Sequence, residues 1–258
     1  MGFRMRCYGM TDVGRAREKN EDNLILVPSE GLYIVADGMG GHQGGQLASR
    51  LAISYITEFV CVLCKDDGFQ WPYEGYSDRT QGENALAVGI QYANERIFIE
   101  SCKKRELEGM GTTITAVLDL SSDDLVLAHV GDSRIYRMRQ NTLQQVTKDH
   151  SLVNHLLSQG KLTPEEAETF PNKNVIFRAL GLKDYVEVDT SVQAKQEGDL
   201  YLLCSDGLTD LVEDWVIAEV LQGAANNLKE ACKTLISLAN RNGGKDNITV
   251  LLAVVEAS

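Results

Sequence analysis

The 258-residue chain has no membrane-length apolar run, no framework of paired cysteines and no excess of positive charge. Each absence excludes something. The longest near-apolar stretch, Ile53 to Cys64, is too short to span a bilayer and contains Thr57 and Glu58. The stretch Met1-Gly2-Phe3-Arg4-Met5-Arg6 lacks the apolar core of a signal peptide and the Ser or Thr of a myristoylation motif. A soluble protein without a membrane partner is expected. The six cysteines (Cys7, Cys61, Cys64, Cys102, Cys204, Cys232) show no disulfide spacing. Cys61-Val-Leu-Cys64 has the C-x-x-C form but lies in a helical apolar run with no second pair, so it reads as core, as does Cys204 in a strand. A reducing compartment follows, hence the cytoplasm. With 37 acidic against 25 basic residues and a net charge of −12, neither nucleic acid nor an anionic membrane suits as a partner. An anionic substrate would need local positive charge supplied by metal.

Familiar catalytic signatures are missing too. No HExxH, no GxSxG and no paired CxxC occurs, which excludes the usual zinc proteases and serine hydrolases. Gly38-Met-Gly-Gly-His-Gln-Gly-Gly45 is glycine-rich but lacks the Gly-Lys-Ser/Thr of a P-loop. No Pro-, Gly- or Ser-rich linker divides the chain, so residues 1–258 read as one domain.

What the chain does contain is carboxylate at the ends of apolar runs. Leu32–Ala36 leads into Asp37, Leu125–Val130 into Gly131-Asp132, and Leu200–Cys204 into Ser205-Asp206, while Asp246 precedes Ile248–Val255. Any one of these aspartates is equally well a turn residue. Several meeting at one end of a sheet would repel one another, and a hard divalent cation with oxygen ligands is the simplest remedy.

Strands are expected at Leu24–Val27, Leu32–Ala36, Thr112–Leu120, Leu125–Val130, Arg134–Met138, Leu143–Val146, Val186–Val192, Asp199–Cys204 and Ile248–Val255. The short links Ser121–Asp124 and Arg139–Thr142 imply antiparallel hairpins. Helical spacing of apolar residues predicts helices over Ala48–Leu63, Leu86–Phe98 and Leu228–Asn240, the last stopped by Gly243-Gly244. The class is α+β: two antiparallel sheets stacked face to face with helices outside. Between His150 and Leu180 the chain turns polar and helical, and Thr163-Pro164-Glu165-Glu166 is a capping-box helix start. Thirty residues are too many for a plain connection, so a lid at about 150–180 is expected. His129 reads as structural, and His42, His150 and His155 as surface residues.

Six motifs then carry a resemblance. Arg17-x-x-x-Glu21-Asp22-Asn23, Val35-Ala-Asp-Gly-Met-Gly-Gly-His42, Gly109-Met-Gly-Thr-Thr113, Val130-Gly-Asp-Ser-Arg134, Leu203-Cys-Ser-Asp-Gly-Leu208 and Lys245-Asp-Asn-Ile-Thr-Val250 occur in that order. From about Tyr8 to Val255 the chain resembles the metal-dependent protein phosphatases of the PP2C type, its bacterial branch in particular. The resemblance implies an αββα sandwich that hydrolyses phosphoserine and phosphothreonine in proteins by a bridging hydroxide, at two Mn²⁺ or Mg²⁺ ions and a third bound more weakly. By position, Asp37 would bridge two ions with the Gly38 carbonyl on the first, and Asp206 and Asp246 would complete the second. Asp132, sharing Asp206, resembles the third-metal site, with Asp210 a weaker candidate. Glu21 and Asp22 would hold metal-bound waters, and Arg17 would grip the substrate phosphate. Animal members carry a His directly after the Asp-Gly; here that position is Met39. The partners implied are phosphoproteins made by a cognate serine/threonine kinase, met by a monomer. Two other readings stay open: a two-metal hydrolase of small phosphate esters, and an inactive phosphoprotein-binding regulator.

Overall fold

Burial on alternate faces fixes where each strand lies. All of Leu32–Ala36 is buried: Leu32, Ile34 and Ala36 pack under helices, whereas Tyr33 and Val35 face a second sheet. Leu200–Cys204 repeats this, with Leu200, Leu202 and Cys204 under helices and Tyr201 and Leu203 between the sheets. Such strands can only sit in the middle layers of a sandwich.

The computed structural model describes residues 2–40, 44–62, 65–66, 68–120, 123–168, 170 and 175–257. His42, Cys64 and the Ser121-Ser122 turn, singled out above, lie outside the described residues. In chain order the strands are β1 (Phe3–Asp12), β2 (Asn23–Val27), β3 (Leu32–Ala36), β4 (Gly38–Met39), β5 (Gly111–Thr112), β6 (Ile114–Leu118), β7 (Asp124–Val130), β8 (Arg134–Arg139), β9 (Thr142–Gln145), β10 (Asp189–Ala194), β11 (Leu200–Cys204) and β12 (Ile248–Ala257). The helices are α1 (Gly44–Cys61), α2 (Gln81–Lys103), α3 (Leu152–Ser158), α4 (Pro164–Glu168), α5 (Asp206–Thr209), α6 (Asp214–Leu221) and α7 (Leu228–Arg241). One five-stranded sheet has the order β1-β12-β11-β8-β9 and the other β10-β7-β6-β3-β2. α1 and α2 cover the second sheet, and α6 and α7 the first.

Local chemistry starts and stops the helices. The Thr80 hydroxyl accepts from Glu83 N–H while Glu83 reaches back to Thr80 N–H, a capping box worth about 1 kcal/mol to α2. α7 buries Leu228, Ala231, Cys232, Leu235, Ile236 and Ala239, a stripe at helical spacing, and ends before Gly243 and Gly244, both at positive φ.

Several expectations needed correction. β1 was not anticipated, yet all ten of its residues pair with β12. Its outward Arg4 and Arg6 and half-buried partners give it little apolar signal. The strand expected over Thr112–Leu120 breaks at Thr113, whose N–H donates to the Asp37 carbonyl, while Gly111 and Thr112 pair with β4. The strand expected at Val186–Val192 begins at Asp189, where pairing with His129 of β7 starts; Val186 and Val188 are core residues outside it. His150 is buried, not at the surface.

The pairing also explains why one end of the sandwich is special. β3 and β7 both run antiparallel to β6, so Ala36 and Val130 finish at the same edge. In the other sheet Cys204 at the end of β11 lies across from Val250 near the start of β12 and Arg134 at the start of β8. Antiparallel pairing thus carries Asp37, Asp132, Asp206 and Asp246 to one end.

Candidate metal centre

That end holds a cleft of two adjoining cavities. The larger, about 740 Å³, is bordered by Asp132, Arg134, Asp149 and Asp210, and by Ser151, Val153, Asn154 and Ala167 of the 150–180 segment. The smaller, about 520 Å³, is bordered by Glu21, Asp37, Gly38, Met39, Thr113 and Ile176. Arg17, Asp206 and Asp246 border both, which makes them the shared wall.

Backbone and hydroxyl contacts fix the Asp37 main chain, the Arg17–Glu21 loop and the Asp22 carboxylate. Asp37 N–H donates to Thr113 Oγ1 at 3.0 Å, and the Asp37 carbonyl accepts from Thr112 Oγ1 and from Thr113 N–H, each at 2.8 Å. Thr113 Oγ1 also lies 2.7 Å from Ser133 Oγ, next to Asp132. Gly38 has no room for a side chain: a Cβ would lie 2.1 Å from the Gly45 carbonyl oxygen and 2.6 Å from that of Glu21. The loop carrying Arg17 and Glu21 is pinned by Asn247, whose Oδ1 accepts from Glu21 N–H at 2.7 Å and whose Nδ2 donates to the Val13 and Lys19 carbonyls, each at 2.9 Å. Asp22 is buried, and its Oδ2 accepts from Ser205 Oγ at 2.8 Å and Thr249 Oγ1 at 2.6 Å, tying the loop to β11 and β12.

The electrostatics are unfavourable as they stand. Burial, then Asp22, Asp206 and Asp132, raise the Asp37 carboxyl well above the ordinary range. Asp37 keeps some surface toward the cavity, but depth within the protein governs its desolvation. Burial, then Asp132, Asp210 and Asp246, push Asp206 up to about 8. Burial and Asp149 push Asp132 up to about 6, and burial pushes Asp22 to about 6 against the hydroxyls that lower it. Among the described residues, the enclosed oxygens Asp22 Oδ1, Asp132 Oδ1 and Asp206 Oδ1 have no hydrogen-bond partner. Oxygen-only donors, enclosed lone pairs and mutual repulsion are what a hard divalent cation relieves. The residues present fit Mn²⁺ or Mg²⁺.

Arg17 is an exposed cation bordering both cavities, its Nη2 2.7 Å from Asp246 Oδ2, with Lys245 beside the larger cavity and Lys19 beside the smaller. Contact with Asp246 first, then the charges of Glu21 and Asp206, hold its guanidinium above its usual value. Arg134 is committed elsewhere, to Asp149 by a fork at 2.8–3.0 Å. Asn247, Thr113, Ser205 and Arg134 were not assigned roles from sequence, although each sits inside one of the six motifs. Their signal was the motif spacing, in which only the carboxylates were given chemistry.

Comparisons with known proteins agree on what this arrangement is like. Residues 15–248 match the family described as "Protein phosphatase 2C". The chain is 40% identical over 249 residues to "Serine/threonine phosphatase stp" of Listeria welshimeri, covering 94% of this chain and 92% of that one. In structure it is similar to the Mycobacterium tuberculosis serine/threonine phosphatase PstP/Ppp, with a TM-score of 0.84 at 37% identity over 98% of this chain and 99% of that one. A PstP catalytic domain in complex with two manganese ions matches with a TM-score of 0.81 at 35% identity, over 99% and 100% of the two chains.

Proposed function

The chain belongs to the protein phosphatase 2C family, and on that premise we propose that this cleft is where it hydrolyses phosphoserine and phosphothreonine in proteins with Mn²⁺ or Mg²⁺. One observation carries the assignment. Asp37, Asp132, Asp206 and Asp246 converge on one cleft, and the enclosed Asp132 Oδ1 and Asp206 Oδ1 have no hydrogen-bond partner among the described residues. Asp37, the Gly38 carbonyl, Asp206 and Asp246 would hold two ions and Asp132 with Asp206 a third. Bound there, the ions supply Lewis acidity, lowering the pKa of water and neutralising charge at phosphorus.

The chain's own groups do the rest. Arg17, reaching into both cavities, presents a planar fork matched to phosphate oxygens. Thr113 and Asn247 hold Asp37 and the Arg17 loop in place, so that little reorganisation is left for the reaction. Asp22 and Glu21 orient polar groups beside the ions, with Asp22 anchored by Ser205 and Thr249. Met39 borders the smaller cavity and has no proton to give a leaving hydroxyl.

Residues 1–258 act as one catalytic unit, with the described part of 150–180, through Ser151, Val153, Asn154 and Ala167, as a flap beside the larger cavity. A cytoplasmic setting is supported by the described cysteines, all free thiols. A cognate kinase and a monomeric state belong to the same reading. No helix among the described residues is long and apolar enough to cross a membrane. The test is phosphate release from a phosphothreonine peptide, with a small aryl phosphate alongside. Turnover is expected with Mn²⁺ and none in excess chelator; full turnover in chelator overturns the reading.

A further inference from the structure

At the base of the 150–180 segment a second polar cluster lies outside the cleft. His129, one residue before the end of β7, and His150 stack with ring centroids 4.5 Å apart. His150 Nε2 lies 3.2 Å from Asp189 Oδ2, and Arg178 Nη1 donates to Asp189 Oδ1 at 2.6 Å. Ligand atoms of His129, His150 and Asp189 all fall within 4.8 Å of one another, a spacing suited to a cation. The hydrogen bonds argue against a metal. Gly131 N–H donates to His150 Nδ1 at 3.0 Å, so the ring's one proton lies on Nε2, turned to Asp189 Oδ2, and leaves no lone pair there for a metal or for Arg178 Nη1, which also lies 3.1 Å from Nε2. Arg178 already supplies the positive charge beside Asp189.

The cluster points instead to His150 itself. Its side chain accepts from Gly131 N–H, and its own backbone N–H donates to the Gly131 carbonyl at 2.8 Å. Both polar groups of Gly131 are therefore held by one residue. From the other side Thr113 closes in: at φ 111°, a Cβ on Gly131 would lie 2.6 Å from Thr113 Cγ2. The residue that this doubly clamped turn presents is Asp132. His150 is also where the flap closes on itself, since its carbonyl accepts from Phe177 N–H at 3.1 Å and Leu152 N–H donates to the Val175 carbonyl at 2.8 Å.

We propose that His150 is a positioning residue that holds the Asp132 turn and both ends of the flap in one register, with Asp189 and Arg178 orienting its ring. The proposal rests on the reading of Asp132 as a metal ligand. It ties the two described ends of the flap, at 150–152 and 175–177, to the turn that carries Asp132.

The experiment compares His150→Ala, His150→Asn and His150→Gln by Mn²⁺ titration calorimetry and by limited proteolysis within 150–180. An Asn amide oxygen falls near Nδ1 and a Gln amide nitrogen near Nε2. Leaving Gly131 N–H unpaired in His150→Ala is expected to weaken the weakest Mn²⁺ site about five-fold or more and to speed cleavage of the flap. His150→Asn is expected to restore both, and His150→Gln neither. Wild-type Mn²⁺ affinity and cleavage rate in His150→Ala, or rescue by Gln but not Asn, overturns the proposal. If His150→Ala does not fold, the Asn and Gln pair decides by the same criterion. Asp132→Asn is the reference: unchanged Mn²⁺ binding there sinks the ligand reading alone, and the proteolysis then decides whether His150 holds the segment.

Discussion

The two ends of the sandwich treat acidic residues in opposite ways. At the end away from the cleft, Asp199 is buried and receives Arg139 as a fork at 2.6 and 2.7 Å, and the enclosed Lys195 ammonium sits 2.6 Å from Asp119. At the cleft end Asp37, Asp132 and Asp206 face one another, two of them with an enclosed oxygen unpartnered among the described residues. A buried carboxylate needs a cation or hydrogen-bond donors, and those facing other carboxylates need the cation. One end has it built in as Arg or Lys; on the proposed reading the other would take it from solution. Arg134 with Asp149 marks the border, a built-in pair beside the larger cavity.

Substitutions at the two ends should therefore fail differently. The largest effect is expected at the cleft: Asp37→Asn and Asp206→Asn each lower kcat by at least ~10²-fold, because activation of water depends on the paired ions. Near-normal rates at saturating Mn²⁺ would show that the site lies elsewhere. Asp199→Asn should reverse the pattern. Because Arg139 is partly exposed, the loss is below that for a fully buried pair, about 2–3 kcal/mol by denaturant titration, with kcat intact.

How much of this contrast was legible in the sequence depended on charge and pattern. The strand-end positions of Asp37, Asp132 and Asp206 could be read directly, because an apolar run ending in Asp needs no tertiary information. Asp119 and Asp199 also end or begin such runs, and nothing local distinguishes them. Their partners Lys195 and Arg139 lie 76 and 60 residues away. The buried state of His150 was hidden for the same reason, since it depends on Gly131 and Asp189 arriving from other strands. β1 escaped notice because it is an edge strand, and its alternation of Arg4 and Arg6 with Met5 and Cys7 is short and half-exposed.

Smaller effects sharpen the comparison. Arg17 is the exposed cation shared by both cavities, and Arg17→Ala should raise KM for a phosphopeptide about ten- to a hundred-fold, more than it lowers kcat. Unchanged steady-state constants would reduce Arg17 to the surface partner of Asp246. The smallest effect concerns His129 at the flap base. Burial above all lowers it to about 4 from the usual 6.5, against the Lys148 carbonyl, Asp189 and Asp149, which raise it. A base with a depressed folded pKa contributes stability that is present above pH 6.5 and lost as pH falls toward 4. His129→Phe should thus flatten the acid limb of stability by roughly 1–2 kcal/mol between pH 7 and pH 5. An unaltered limb would mean that His129 takes up its proton as readily in the folded chain as in the unfolded one.

The most direct measurement is the Tm of metal-free and Mn²⁺-loaded protein for wild type and Asp206→Asn. A cation supplied from solution makes Mn²⁺ stabilise the wild type, by about 2.7 kcal/mol at a hundred times Kd. Removing one of the repelling charges should leave metal-free Asp206→Asn at least as stable as metal-free wild type, with most of the Mn²⁺ gain lost. A wild-type Tm indifferent to Mn²⁺, with Asp206→Asn melting well below it, would contradict the claim that this end of the sandwich takes its cation from solution.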